Sequence, residues 1–215
     1  MNSIDKLTEI FGKFPGIGPR QAKRFVYFLL SRNGDYSGEL VKAIQNLKSE
    51  IVQCSECMRF FPRPADPRYA EGSGEARALA KEELICSICS DNTRDHSMLM
   101  LVPRDIDFEA VEKSGGYNGY YFILGGVVPI LEKEPEKKIR LSEFDKKIKD
   151  SKDLKEIILA MNANLDGENT AEFIKQKYQG LPLIFSTLGR GLSTGAELEY
   201  ADPETLKNAL IHRTK

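Results

Sequence analysis

Residues 14–24 read Phe14-Pro15-Gly16-Ile17-Gly18-Pro19-Arg20-Gln21-Ala22-Lys23-Arg24. Two prolines and two glycines within Phe14 to Pro19 cannot continue a helix and must form a tight turn. Upstream, Ile4, Leu7 and Phe11 recur at helical spacing, which predicts a first short helix. Downstream, Pro19 suits the first position of a new helix, where its missing N–H costs nothing. Ala22, Phe25, Val26, Leu29 and Leu30 then line one helical face. The pattern is helix, hairpin, helix. Gly16 and Gly18 let the backbone approach a phosphate without interference from Cβ. Unpaired amides at the start of the second helix, together with its dipole, favour an anion there. Arg20, Lys23 and Arg24 put cations beside that point. Contacts of this kind hold the nucleic-acid backbone and do not read sequence. An αα-hairpin with a Gly/Pro turn and no ligand is the other reading of the same residues.

Charge supports the first reading locally but not globally. The 215-residue chain has a formal net charge of −1, which says nothing about partners. Residues 1–32 carry six basic side chains, Lys6, Lys13, Arg20, Lys23, Arg24 and Arg32, against Asp5 and Glu9. A basic head on a near-neutral protein is compatible with a localised nucleic-acid contact. Beyond it, Leu40, Ile44, Leu47 and Ile51 repeat at steps of four, three and four. They predict a third helix whose narrow apolar seam closes the head or serves a subunit contact.

Outward from the head lie all four cysteines, as Cys54-x-x-Cys57 and Cys86-x-x-Cys89. Each pair lets two thiolates reach one ion from a tight turn, and two turns make a closed tetrahedral Zn²⁺ site. Such a site is structural, because no coordination position is left open. A redox CxxC and chance are the competing readings. Neither pair has the flanking context of a redox motif, and two pairs are harder to obtain by accident. The 28 residues between the pairs exceed the spacing of compact zinc ribbons. Pro62 to Pro67 is turn-rich, Glu71 to Glu75 reads as a flexible tip, and Ala76 to Leu84 as a short polar helix. The whole is an insertion between two knuckles. His96 lies near the second pair and is expected at the surface.

From residue 98 onward, short apolar runs alternate with helical patterns. Met98–Val102, Tyr120–Leu124, Ile157–Ala160 and Leu183–Ser186 read as strands. Asp105–Lys113, Ser142–Asp150, Glu168–Tyr178 and Pro203–His212 read as helices. The alternation predicts a mainly parallel sheet covered on both faces. Function in such sheets collects in loops at the carboxyl ends of strands. One such loop carries Asp166-Gly167-Glu168, two carboxylates that could hold a divalent cation through oxygen. A turn followed by an acidic helix N-terminus explains the same residues. The glycine-rich Leu188–Gly195 resembles a phosphate loop only loosely, and no GxxxxGK[ST] occurs, which excludes a P-loop nucleotidase.

No run is long and apolar enough to span a membrane. The opening residues lack a charged region followed by a continuous apolar stretch, so no signal peptide is expected. Paired cysteines in metal-site spacing point to a reducing cytoplasm.

Taken together these motifs resemble the RecR family of bacterial recombination mediators, over nearly the whole length and in the same order. The Phe14–Arg24 hairpin looks like the family's DNA-binding motif. Cys54, Cys57, Cys86 and Cys89 look like its zinc finger. Asn162 to Ala171 is similar to its Toprim acidic loop, and Gly191 to Leu210 to its C-terminal signature. The expected fold class is therefore α+β and multi-domain. A helix–hairpin–helix domain spans 1–53, a four-cysteine zinc finger with an insertion 54–97, and an α/β Toprim domain with a Rossmann-like sheet 98–187. A C-terminal signature segment spans 188–215.

The resemblance implies a homo-oligomer, a ring-like tetramer able to encircle DNA or a dimer, with one structural Zn²⁺ per chain. It implies action with RecO, and in some members RecF, to displace single-strand-binding protein so that RecA can load at gaps. By matched position, Gly16, Gly18, Arg20, Lys23 and Arg24 would contact DNA. Asp166 and Glu168 would belong to the Toprim face used toward RecO. The chain departs from the family in its long insert, in Val128–Pro135 after the second strand, and in Ser193 and Ala196. It also carries Pro103 where Toprim domains place a glutamate at the end of the first strand. Asp105 and Asp107 stand nearby but out of register. A metal-assisted phosphoryl-transfer enzyme needs several convergent carboxylates, and His96 and His212 form no acid–base constellation. A non-enzymatic DNA clamp is expected over a Mg²⁺-dependent Toprim nuclease, primase or topoisomerase.

Overall fold

The computed structural model describes residues 1–64 and 84–213. The chain divides into two compact units, Met1–Val52 and Gln53–Lys215.

The first unit is helical. Helix α1 (Ser3–Gly12) starts at Asn2, whose side chain accepts a hydrogen bond from the Asp5 amide at 2.9 Å, a standard N-cap. Helix α2 (Pro19–Leu30) begins on Pro19 and buries Ala22 and Val26. Phe11 packs edge-on against Phe14 and Phe25, with ring centroids 5.8 Å apart in each case. Leu30 lies off this stripe and is exposed. Helix α3 (Gly34–Glu50) forms as expected but does not close the head. It buries no residue, and its seam residues Ile44 and Leu47 face outward. Ile51 leaves the helix altogether and opens strand β1 (Ile51–Gln53), within which the division between the units falls.

The second unit is built on a parallel sheet. After β2 (Phe60–Pro62), the chain forms β3 (Asp95–Val102), α4 (Asp105–Ser114), β4 (Gly119–Ile123), α5 (Leu141–Asp150), β5 (Glu156–Leu159), α6 (Leu165–Tyr178), β6 (Ile184–Thr187) and α7 (Pro203–Ile211). The four longer-range strands lie in the order β4-β3-β5-β6, all parallel, with Leu101 registered against Phe122 and Leu159. Side chains alternate between faces along each strand. Leu99, Leu101, Phe122, Ile157 and Leu159 pack with Phe144 of α5 and Ile174 of α6. Met100, Val102, Tyr121 and Ile123 pack with Phe108 of α4. Both faces are therefore covered, which is why these strands read as continuous apolar runs. The architecture is α+β, with a four-stranded parallel sheet and a four-cysteine cluster.

Element boundaries moved where polar groups act. Strand β3 starts at Asp95, three residues earlier than its apolar run. Helix α6 starts at Leu165 because Asn164 caps it, accepting from the Gly167 amide at 2.9 Å. Asp166 and Glu168 thus stand in the first turn of a helix and not in a loop. The turn-rich stretch, the tip and the polar helix expected between the cysteine pairs fall largely outside the described residues. Leu84, the last residue of that expected helix, is not helical.

Candidate metal centre and nucleic-acid interface

In the first unit, the turn between α1 and α2 is closed by the Ile17 amide, which donates to the Phe14 carbonyl at 3.1 Å. Gly16 sits at φ +78°, a left-handed conformation that L side chains rarely adopt. Gly18 is different. It is the extended N-cap of α2 at φ −81°, with no side-chain cap. A Cβ built on it meets nothing within 4 Å, so the fold itself does not require glycine there. The amides of Gly16, Gly18, Arg20 and Gln21 have no hydrogen-bond partner among the described residues. They are unpaired donors at a helix start, the groups that complement an anion. Arg20, Lys23 and Arg24 are all exposed. Arg24 donates only to its neighbour Gln21, at 3.4 Å, and no carboxylate neutralises any of the three among the described residues. Glu9, the nearest acid in α1 to the turn, is held by Lys13 at 3.0 Å.

In the second unit, the sulfurs of Cys54, Cys57, Cys86 and Cys89 all lie within 4.8 Å of one another. Tetrahedral Zn²⁺ with bonds of about 2.3 Å separates its sulfurs by about 3.8 Å, and Cys57 Sγ stands 3.7 Å from Cys86 Sγ. The donor set and spacing fit a metal ion. Among the described residues this is the one grouping of three or more potential ligands. The sulfurs cannot all ionise alone. Hydrogen bonds from Cys57 pull Cys54 well down, whereas bonding to Cys54 pushes Cys57 and Cys89 well up. A divalent cation relieves that conflict, since it binds the thiolate form.

The knuckles are fastened to the sheet from outside the motif. The Cys57 carbonyl accepts from the Ile123 amide at 2.8 Å. Met58, at φ 63°, has its carbonyl held by Arg140 Nη1 and Gln53 Nε2, each at 2.9 Å. The second Arg140 contact, to the Ile123 carbonyl at 3.1 Å, joins knuckle and strand end. Lys147 of α5 pairs with Glu56, between the first two cysteines, at 2.5 Å. Sequence reasoning missed Arg140 and Lys147. Their partners lie 82 and 91 residues away, and nothing local marks them. His96 is exposed as expected, its ring against Tyr120.

At the carboxyl ends of the strands, β3 runs into buried Pro103. The two nearby carboxylates are engaged elsewhere. Asp105 accepts from the Phe60 amide at 2.7 Å, and Asp107 pairs with Arg104 at 3.3 Å. Glu168 is held by Arg190 at 2.8 Å. Asp166 serves through its backbone, accepting at 2.6 Å from the buried Thr170 hydroxyl, which in turn accepts from the Val128 amide at 2.8 Å.

Comparison with known proteins brings these parts together. Residues 4–48 match the model of the RecR helix-hairpin-helix. Residues 97–188 match the Toprim domain, and residues 191–214 match the RecR C-terminal region. The chain is 35% identical to recombination protein RecR of Staphylococcus saprophyticus over 212 residues, covering 99% of this chain and 96% of the relative. It is 34% identical to the RecR protein of Staphylococcus haemolyticus over the same shares. It is 31% identical to that of Bifidobacterium adolescentis over 98% of this chain and 95% of the relative.

Proposed function

The chain belongs to the RecR family of recombination proteins, and on that premise we propose that it is a DNA-binding, non-catalytic mediator of recombinational repair. It acts with a RecO-like protein, and with a RecF-like one where present, to help RecA load onto single-stranded gaps. The observation that carries this reading is the α1–α2 turn: four amides unpaired among the described residues at an exposed helix start, a glycine at position 18 that the fold does not need, and three cations with no counter-charge among those residues. A phosphate seated there would satisfy the donors and use the space that a side chain would fill. In this assignment Gly16, Gly18, Arg20, Lys23 and Arg24 contact DNA. The functional parts are 1–53, 54–97, 98–187 and 188–215.

The four cysteines hold one structural Zn²⁺. It replaces apolar burial that the short module cannot supply, and bound Zn²⁺ in small motifs contributes about 10 kcal/mol or more. Asp166 and Glu168 offer the acidic face toward the RecO-like partner, which must compete with Arg190 for Glu168. The protein works in the cytoplasm; no helix among the described residues is long and apolar enough to cross a membrane. A homo-oligomer, as a tetrameric ring or a dimer, is supported by the apolar side chains left exposed on α3, Val41, Ile44 and Leu47.

The alternative, a Mg²⁺-dependent cleaving enzyme, needs carboxylates converging at the strand ends. Pro103 and the separate engagements of Asp105, Asp107 and Glu168 speak against it. The test is RecA filament formation on gapped DNA coated with single-strand-binding protein. Added together with cognate RecO, this protein should accelerate filament formation without Mg²⁺-dependent strand cleavage. Cleavage with turnover, or no acceleration, would refute the reading.

A further inference from the structure

The four cysteines are not equivalent. Cys54, Cys57 and Cys86 are buried, whereas Cys89 is partly exposed. Cys89 also lines an open cavity of about 360 Å³, together with Glu56, His96, Tyr120 and Lys147. The sulfurs differ in a second respect. Cys54 Sγ accepts a hydrogen bond from the Cys86 amide at 3.4 Å. Among the described residues no amide bonds to the sulfur of Cys57, Cys86 or Cys89. Amide donors draw charge from a thiolate and lower its nucleophilicity. Only Cys89 is both open to solvent and without an amide bond on its sulfur.

The cavity also supplies a fixed cation. The Lys147 ammonium is largely buried, is held by Glu56, and lines the same cavity as Cys89. A cation in the same cavity stabilises the anion expelled when the thiolate reacts.

We propose that Cys89 is the oxidation-sensitive sulfur of the metal centre, the point at which hydrogen peroxide opens it. This rests on the reading of the cluster as a Zn²⁺ site. The Cys89 thiolate attacks one peroxide oxygen, the O–O bond breaks, and hydroxide leaves to be protonated as water. Cys89 becomes a sulfenic acid. A second thiolate of the cluster, within 4.8 Å, then attacks that sulfur. A disulfide forms and a second hydroxide leaves. Two thiolates have given two electrons to one peroxide. Two of the four ligands are lost, and Zn²⁺ is released. The knuckle of Cys86 and Cys89 is then no longer tied to that of Cys54 and Cys57 through the ion.

The experiment uses the full-length protein as purified, with its Zn²⁺ content measured first. Hydrogen peroxide is added below one equivalent. Zn²⁺ release is followed with a chromogenic chelator, and the first oxidised sulfur is mapped by sulfenic-acid trapping and mass spectrometry. Trapping should fall first on Cys89. Lys147→Met, compared per Zn²⁺ ion bound at the start, should release it at least about threefold more slowly, while Lys147→Arg should release it at close to the wild-type rate. Zn²⁺-loaded protein trapped first at Cys54, Cys57 or Cys86, or oxidised evenly at all four, would overturn the proposal alone. So would a Lys147→Met protein releasing Zn²⁺ at the wild-type rate. Protein purified without Zn²⁺ would overturn the metal reading and this proposal with it.

Discussion

Glu168, in the first turn of α6, is paired with Arg190, in the glycine-rich loop after β6, at 2.8 Å. The carboxylate that would face a partner is therefore already occupied by a residue of the same chain. Both side chains are close to half exposed, so the pair contributes at most about 1 kcal/mol. Arg190→Ala should leave the melting temperature nearly unchanged. It should, however, expose Leu188–Gly195 to faster limited proteolysis and strengthen binding to a cognate RecO. Weaker RecO binding would show that Arg190 itself is the contact.

Thr170 is a fully buried polar side chain, and its hydroxyl bridges the Val128 amide and the Asp166 carbonyl. Thr170→Val keeps the shape and strands a buried N–H, which costs about 1–3 kcal/mol. Urea unfolding should show that loss, and Thr170→Ser should recover most of it. An unchanged midpoint for Thr170→Val would mean that the amide finds another acceptor.

The two hairpin glycines should separate under substitution. Gly16→Ala places a side chain at φ +78° and should cost about 1 kcal/mol of stability. Gly18→Ser introduces a favoured N-cap where no Cβ contact exists within 4 Å, so stability should hold or rise. DNA affinity should nevertheless fall, since the new side chain occupies the space assigned to phosphate. A Gly18→Ser protein that binds DNA as tightly as wild type would contradict the cradle.

Asp202 caps α7, accepting from the Thr205 hydroxyl at 2.6 Å and the Thr205 amide at 2.9 Å. Those two bonds hold its carboxyl below the ordinary carboxylate range. A depressed folded-state value means that the cap's contribution is present above the unfolded pKa of about 3.9 and is lost as pH falls through the folded value. Amide exchange across Pro203–Ile211 should therefore be pH-corrected constant near neutrality and accelerate at acid pH. Asp202→Asn should flatten that acid response.

Much of this molecule was legible in its sequence, and the reasons are local. The parallel sheet showed because both faces are covered, which makes Met98–Val102 and Tyr120–Leu124 unbroken apolar runs. The α1–α2 turn showed because Pro15, Gly16, Gly18 and Pro19 allow little else, and the cysteine cluster because a four-ligand ion dictates spacing. What did not show depends on contacts across long chain separations. Arg140 and Lys147 look like ordinary surface cations until the fold brings Met58 and Glu56 to them. The α6 start was misplaced because Asn164 was not recognised as a cap. The α3 seam was legible as a periodicity, but periodicity does not say that Ile44 and Leu47 stay uncovered in the single chain.

The most direct test of the central claim is DNA affinity as a function of salt for wild type and for Arg20→Ala/Arg24→Ala. Each phosphate neutralised contributes about 0.9 to the slope of log affinity against log salt on duplex, or about 0.7 on single strands. If both arginines sit on phosphates, the double variant should bind more weakly to every sequence, with a slope shallower by about two contacts' worth and an unchanged melting temperature. Wild-type affinity and slope in that variant would contradict the account.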